Sequence, residues 1–306
     1  MSVAMHMTKK RRLFSVLDLM ILPGMIYIII NNYIPMAGIL IAFKKIDYAK
    51  GVFKSGWNGI ENFKYLFSTR DAFVITRNTI LYNVAFIILS TILGLVVGIF
   101  LSEIVLKGFQ KIYQTLILLP QLFSIIIIAY IVLALLSNEA GFINKTVLGP
   151  GNEIDFYSNR IYWPFILTIV YLWKGLGYNS IIYLSAIVSV DRNLYEAATV
   201  DGVGRFKQVF HVTIPSIKPT IITLVLISVG RIFYSDFGLF LQVPMNSGQL
   251  FSVTNTIDTY VYRSLMQLNN ISMASAAATY QAVVGFVIIF AVNMIVKKVD
   301  KENALF

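Results

Sequence analysis

The chain has 306 residues, 57% hydrophobic and only 13% charged, half the charged share of about 25% in soluble domains, which excludes an ordinary water-soluble fold. With no Cys and two His, His6 and His211, it offers neither disulfides nor thiolate or His-cluster metal sites. Its net charge of +10 lies beside apolar segments and not on a basic face, so it marks membrane topology and no nucleic-acid partner.

Residues 1–16, MSVAMHMTKKRRLFSV, read as a cytoplasmic N-terminal tail. The apolar run that follows, residues 17–43, far exceeds a signal-peptide core and has no small-residue cleavage site. It reads as a retained first transmembrane helix. Asn31, Asn32 and Pro35 interrupt it and predict a kinked or interfacial outer end. Residues 44–78 form an extracellular loop. Within it NGIENFKYLF sets Ile60, Phe63, Tyr65, Leu66 and Phe67 on roughly one helical face, which fits either an interfacial helix or a simple loop.

A bilayer core takes ~20 apolar residues in a helix, and five further segments meet that length: 79–101, 113–136, 162–188, 220–241 and 276–296. The fold class is therefore an all-α polytopic membrane protein with six transmembrane helices. Residues 79–296 form its core, with a polar loop at 191–218, and 297–306 is a C-terminal tail. Between Gln242 and Ser275, SVTNTIDTYVYRSLMQ predicts a short helix outside the membrane. Orientation follows from Lys and Arg. With the N-terminus inside, the cytoplasmic side holds the KKRR cluster Lys9–Arg12, Lys107, Lys111, Arg192, Arg205, Lys207, Lys218, Lys297, Lys298 and Lys301. A lysine-rich first outer loop narrows the margin, but the cluster before the first helix dominates. The topology is N-in, C-in.

Charges inside the spans are informative, because a Lys or Arg at mid-membrane costs roughly 2.5–3.5 kcal/mol on insertion scales. Lys174 lies near the middle of the fourth span, and Arg231 and Asp236 lie in the fifth. On helices, Tyr171, Lys174 and Tyr178 share one face, as do Arg231, Tyr234 and Ser235. Rings that stack on a sugar's apolar face beside groups that pair its hydroxyls make a carbohydrate site. Two plainer readings stand beside it: Lys174 or Arg231 pairs with Asp236 to lock helix packing, or Tyr178 and Tyr234 simply pack at an interface. Gly175 and Gly177 allow a ligand or a helix to come close.

The chain lacks G-x-x-x-x-G-K-[ST], G-x-S-x-G and H-E-x-x-H, so it carries no phosphate-cradling loop or hydrolytic motif of its own. Uphill movement would draw on an ion gradient or on another subunit. The polar loop is the informative stretch. Leu194–Val200 favours helix, Gly202 and Gly204 break it, and Arg205–Val212 forms a second short helix that Pro215 is expected to stop.

The spacing of Glu196, Ala197, Ala198, Gly202, Val212, Ile214 and Pro215 resembles the EAA loop of ABC importer permeases, with Val212 and Ile214 where Ile and Leu are commoner. Asp201-Gly202 is similar to the sugar-importer version of that motif. Elsewhere NGIENFKYLF, RNTILYN, SDFGLF at 235–240, IDTYVYRSLM at 257–266 and the C-terminal VVGFVIIFAVNMIVKKVDKENALF resemble permeases of the polysaccharide or complex-oligosaccharide type. The resemblance implies a type I ABC importer permease fold in a bacterial plasma membrane. Its implied partners are a second homologous permease, two ATPase subunits, an extracellular lipid-anchored substrate-binding protein and a carbohydrate. It implies an ATPase-coupling role for Glu196, Ala197, Ala198, Asp201, Gly202, Arg205 and Pro215, with ATP and Mg bound by the partner ATPase and no cofactor in this chain. In such permeases the spans flanking the loop line the path, which makes Lys174, Tyr178, Arg231, Tyr234 and Asp236 the expected substrate-binding residues. A secondary transporter, proton-coupled through Lys174 and Asp236, is the competing reading; the loop motif and the lack of an inverted repeat oppose it.

Overall fold

A computed structural model describes residues 16–299; His6, the Lys9–Arg12 cluster and Lys301 lie outside the described residues. Among the described residues the chain is helical, with no strand and one isolated bridge between Lys44 and Trp57. Four helical lengths are long and apolar enough to cross a membrane: Asp18–Phe43, Arg70–Ser102, Trp163–Val188 and Ile271–Lys298. Two bent helix pairs bring the number to six if each counts as one span.

Helix α1 (Val16–Ile28) runs on through a π-helical turn, Ile29–Tyr33, and a 3₁₀ stretch, Ala37–Phe43. The interruption expected at Asn31, Asn32 and Pro35 is thus a change of helix type. Asn31 Nδ2 donates to Tyr27 O at 3.0 Å, and Pro35 has no N–H to give. Most of this length is exposed, as befits a surface in contact with lipid or another subunit.

The next segment is a helix and not a simple loop: α2 (Glu61–Ser68). It folds against the end of the first span instead of lying free. Leu66 is fully buried, the Phe63 and Phe43 rings lie 5.3 Å apart, and Asn62 Nδ2 donates to Ala42 O (2.7 Å) and Lys44 O (3.0 Å). Helix α3 (Arg70–Ser102) has 33 residues, about 50 Å at 1.5 Å per residue, so it outruns the ~30 Å hydrocarbon core.

The expected straight span at 113–136 is two helices, α4 (Lys107–Leu122) and α5 (Ile125–Leu136), which meet at 93°. Hydropathy is blind to this corner, but its chemistry is local. Pro120 stands in the last turn of α4, Phe123 and Ser124 are extended, and Ser124 Oγ accepts the Ile127 N–H to restart the helix. Helix α6 (Trp163–Val188) follows the sequence reading closely. After it come α7 (Arg192–Val200), α8 (Arg205–Ser216) and α9 (Lys218–Val229), the last two bent by 64°.

Pro215 does not stop α8. Residues Val209–Thr213 are π-helical, and Pro215 sits in the first turn of the α-helical segment that follows, where a missing N–H costs little. The expected fifth span at 220–241 is also broken: α9 ends at Val229, the chain turns through Gly230–Phe233, and α10 (Phe237–Gln242) begins after Asp236. Asp236 is its N-cap, accepting the Leu239 N–H at 3.0 Å. The predicted outer helix is α11 (Ile257–Met266), opened by a capping box between Thr256 and Thr259, and α12 (Ile271–Val299) closes the described chain.

Small residues set the helix approaches. A Cβ on Gly98 would lie 3.1 Å from Ser180 O, and one on Gly94 would lie 3.1 Å from the buried Tyr183 ring, so both glycines seat α3 on α6. Gly177 is tighter still, with an added Cβ 2.1 Å from Ile117 O, which brings α6 against α4. Two apolar clusters form the core. One gathers Phe86, Ile128, Val132, Trp163, Phe240 and Leu250, and the other Leu66, Ile75, Phe233, Ile257, Met273 and Ala277.

Candidate functional site

Two polar regions hold the expected site residues, one beside the C-terminal end of α3 and one partway along it. The first is the loop between α6 and α9. Asp191 caps α7 by accepting the Asn193 N–H at 3.0 Å. The helix ends in a Schellman turn: Val203 N–H donates to Ala198 O (2.9 Å), Gly202 N–H donates to Thr199 O (3.0 Å), and Gly202 takes φ +73°. The buried Gln208 of α8 reaches back across the turn, its Nε2 donating to Thr199 Oγ1 (3.0 Å) and Val203 O (2.9 Å). Tyr195 and Thr213 share a hydroxyl–hydroxyl bond at 3.0 Å. The two helices are therefore one tied hairpin, not a slack loop.

Its outer surface holds the expected coupling residues. Glu196, Ala197, Asp201, Gly202, Arg205 and Pro215 are exposed and Ala198 is half-buried. Arg205 Nη1 meets Glu103 Oε2 at 3.0 Å, joining the hairpin to the end of α3. Sequence reasoning missed the apolar part of this face: Val200 is 88% exposed and Phe206 78%, with the Phe206 and Phe210 rings packed edge-on. The signal was present, since both stand within the polar stretch at positions where a solvated loop gains nothing from them.

The second region surrounds the break in α9–α10. Asn83 Nδ2 donates to Ile232 O (2.9 Å) and Tyr234 O (3.1 Å), and Gln281 Nε2 donates to Phe233 O (2.8 Å). Asp258 Oδ2 accepts the Ser235 N–H (2.7 Å), the Ser235 hydroxyl (2.8 Å) and Gln281 Nε2 (3.1 Å). Around the corner, Asn78 Nδ2 donates to Asn255 O (2.9 Å), Tyr82 OH to Val253 O (2.9 Å), and the Ile257 N–H to Thr79 Oγ1 (3.1 Å). The segments RNTILYN, SDFGLF and IDTYVYRSLM, far apart in sequence, thus meet in one hydrogen-bonded frame that holds an irregular backbone open.

Of the five residues expected to bind substrate, three sit on this frame and two on α6. Arg231, Tyr234 and Asp236 are exposed, as is Tyr178, and Lys174 is half-buried. Because the helix ends at Val229, Arg231, Tyr234 and Ser235 do not share a helical face; Ser235 turns inward to Asp258 instead. No ion pair joins Lys174, Arg231 or Asp236 among the described residues, so the expected packing lock is not made. Tyr171, placed by spacing on the face of Lys174 and Tyr178, stacks on Phe86 at 3.8 Å and 7° and belongs to the core.

Comparison with known proteins bears on both regions. The family described as binding-protein-dependent transport system inner membrane component matches residues 90–301. Protein LplB of Bacillus subtilis (strain 168) is 34% identical over 289 residues, 94% of this chain and 90% of that one. The polygalacturonan/rhamnogalacturonan transport system permease protein YteP of the same organism is 32% identical over 289 residues, 94% of this chain and 89% of that one. A permease chain in the crystal structure of a bacterial alginate ABC transporter, in complex with an alginate pentasaccharide-bound periplasmic protein, superposes with a TM-score of 0.84. It is 29% identical, covering 93% of this chain and 95% of that one.

Proposed function

The chain belongs to the family of binding-protein-dependent transport system inner membrane components, and from that premise we propose how it works. It is the transmembrane permease subunit of an ATP-driven ABC importer, set in the bacterial plasma membrane, for a carbohydrate delivered by an extracellular substrate-binding protein. The α7–α8 hairpin is the coupling element. Exposed Val200 and Phe206, with Glu196, Ala197, Ala198, Asp201 and Arg205 around them, enter a cleft of an ATPase subunit. ATP and Mg stay on that subunit, this chain has no ATPase site of its own, and a second, homologous permease completes the pore.

The observation that carries this reading is the tied hairpin. A loop meant to transmit force must move as a body. The Schellman turn, Gln208 and the Tyr195–Thr213 bond make it one, and the α8–α9 bend passes its motion to the broken fifth span. Closure of the ATPases would then drive the spans from inward-facing to outward-facing. Co-purification tests it: the ATPase should follow the wild-type permease and be lost on Gly202→Asp or Glu196→Lys. Sugar uptake by the chain without any ATPase would sink the reading in favour of an ion-coupled transporter.

Arg231, Tyr234 and Asp236 on the break, with Lys174 and Tyr178 on α6, are proposed as contacts along the path. Exposed rings and charges on a backbone held irregular by side-chain bonds suit a sugar's mixed surface. Arg231→Ala and Tyr178→Ala should each lower uptake while the ATPase still co-purifies. Wild-type uptake by both variants would remove them from the path.

A further inference from the structure

At the end of the bundle opposite the hairpin lies a cavity of about 480 Å³ between the start of α3, Arg160 and the α11 region. Four arginines line it, Arg70, Arg77, Arg160 and Arg263, against one acid, Asp71. None of the four makes an ion pair among the described residues. Two are held by neutral partners only. Arg77 Nη2 donates to Asn78 Oδ1 and Ser252 O, both at 2.8 Å. Arg263 is buried, donates to Asn246 Oδ1 (2.9 Å) and to Asn255 Oδ1, and stacks over the Phe251 ring at 4.0 Å.

Burial lowers the Arg263 pKa to about 10, which still leaves it protonated at neutral pH. Four guanidinium groups face the single carboxylate of Asp71, which acts on Arg263 through space; the excess positive charge in a concave wall costs self-repulsion and desolvation that the neutral dipoles only partly offset. The planar guanidinium forks match carboxylates bidentately. On the same wall Ser252 Oγ is buried with no hydrogen-bond partner, a hydroxyl still free to donate. The cavity also adjoins the broken span: Asn255 lines it, and the hydroxyl of the next residue, Thr256, lies 2.7 Å from that of Ser235.

We propose that this cavity binds the carboxylates of an acidic oligosaccharide, a uronic-acid chain, as it passes from the binding protein toward the broken fifth span. The proposal rests on the carbohydrate-importer reading and narrows its substrate class. Mixed lining favours a sugar over an acidic protein surface, since Phe251, Tyr260, Asn255 and Gln267 supply rings and amides beside the charges and the volume suits one or two sugar rings.

The test uses trigalacturonate and its fully methyl-esterified form, the same chain without charge, on the assembled importer with its binding protein. Exposed Arg70 and Arg160 make no bond whose loss threatens folding, so Arg70→Gln/Arg160→Gln is the informative variant, and Arg263→Lys keeps charge while removing the fork. Trigalacturonate should bind the permease–ATPase complex in calorimetry, more weakly with added salt. The double variant should weaken binding and uptake about a hundredfold, two charge-assisted contacts at roughly tenfold each, and leave the ester unchanged. Equal losses for both forms, or none, overturn the proposal. If the variant weakens docking of the binding protein whatever its cargo, the cavity is a protein contact and the proposal also fails. If the wild-type importer takes up no oligosaccharide, charged or neutral, but the complex binds trigalacturonate through these arginines, the carbohydrate-importer reading fails and the cavity assignment stands.

Discussion

At the scale of the residue, Asp258 does the most with one atom. Its Oδ2 gathers two bonds from Ser235 and one from the buried Gln281. Asp258→Ala would strand the Ser235 N–H, while Gln281 keeps Phe233 O and the Ser235 hydroxyl keeps Thr256 Oγ1; a buried unmet donor costs roughly 1–3 kcal/mol. We expect a fall of about 2 kcal/mol or more in thermal unfolding of the purified complex, and loss of uptake beyond that because Tyr234 and Asp236 ride on the same segment. Stability and uptake unchanged from wild type would show that the frame does not depend on this carboxylate. Gly177 and Gly175 make a sharper contrast, because hydropathy treats them alike. A methyl on Gly177 would meet Ile117 O at 2.1 Å, and one on Gly175 meets nothing nearer than Asn179 Nδ2 at 4.0 Å. Gly177→Ala should cost about 1–3 kcal/mol or block folding, whereas Gly175→Ala should unfold like wild type. The two variants unfolding alike would mean that α6 and α4 do not approach this closely.

At the scale of the element, what the sequence disclosed and what it hid divide along physical lines. Apolar length sets a helix, so α3, α6 and α12 were legible; the spacing of Ile60, Phe63, Leu66 and Phe67 fitted α2 as well as a loop, and α11 was expected as a short helix outside the membrane. Bends were not legible. Hydropathy sums over a window, while the corners at Phe123–Ser124 and Gly230–Asp236 come from single caps and from distant partners such as Asn83 and Gln281. Arg231, Tyr234 and Ser235 were therefore placed on a helical face that does not exist. In the hairpin, by contrast, local rules were enough, since Gly202 at φ +73° is what a Schellman turn demands. Gly204 has an extended backbone and open space around it. Gly202→Ala should thus cost about 1 kcal/mol of hairpin order and lower substrate-stimulated ATPase activity, while Gly204→Ala should change neither. Equal activity in the two variants would show that the turn's geometry is not used in coupling.

At the scale of the whole molecule, the two polar regions are joined by few rigid routes. The hairpin meets the bundle through the Arg205–Glu103 pair and the α8–α9 bend, and α9 leads to the break framed by Asn83, Asp258 and Gln281. The ion pair is too exposed to hold much by itself, so any large force at the hairpin travels through packed backbone. Docking strength must then come from apolar surface, because exposed charges alone gain little and an isolated Phe gains from burial about 1.5–3 kcal/mol. Phe206 and Val200 are the groups that have this area to bury. Phe206→Glu with Val200→Asp should abolish co-purification of the ATPase while leaving thermal unfolding of the permease near wild type, since neither side chain has a buried contact to lose. Glu103→Gln should change neither co-purification nor thermal unfolding. If the ATPase stays bound to the double variant, the apolar tip is not the contact and coupling must rest on the polar residues Glu196 and Asp201 instead.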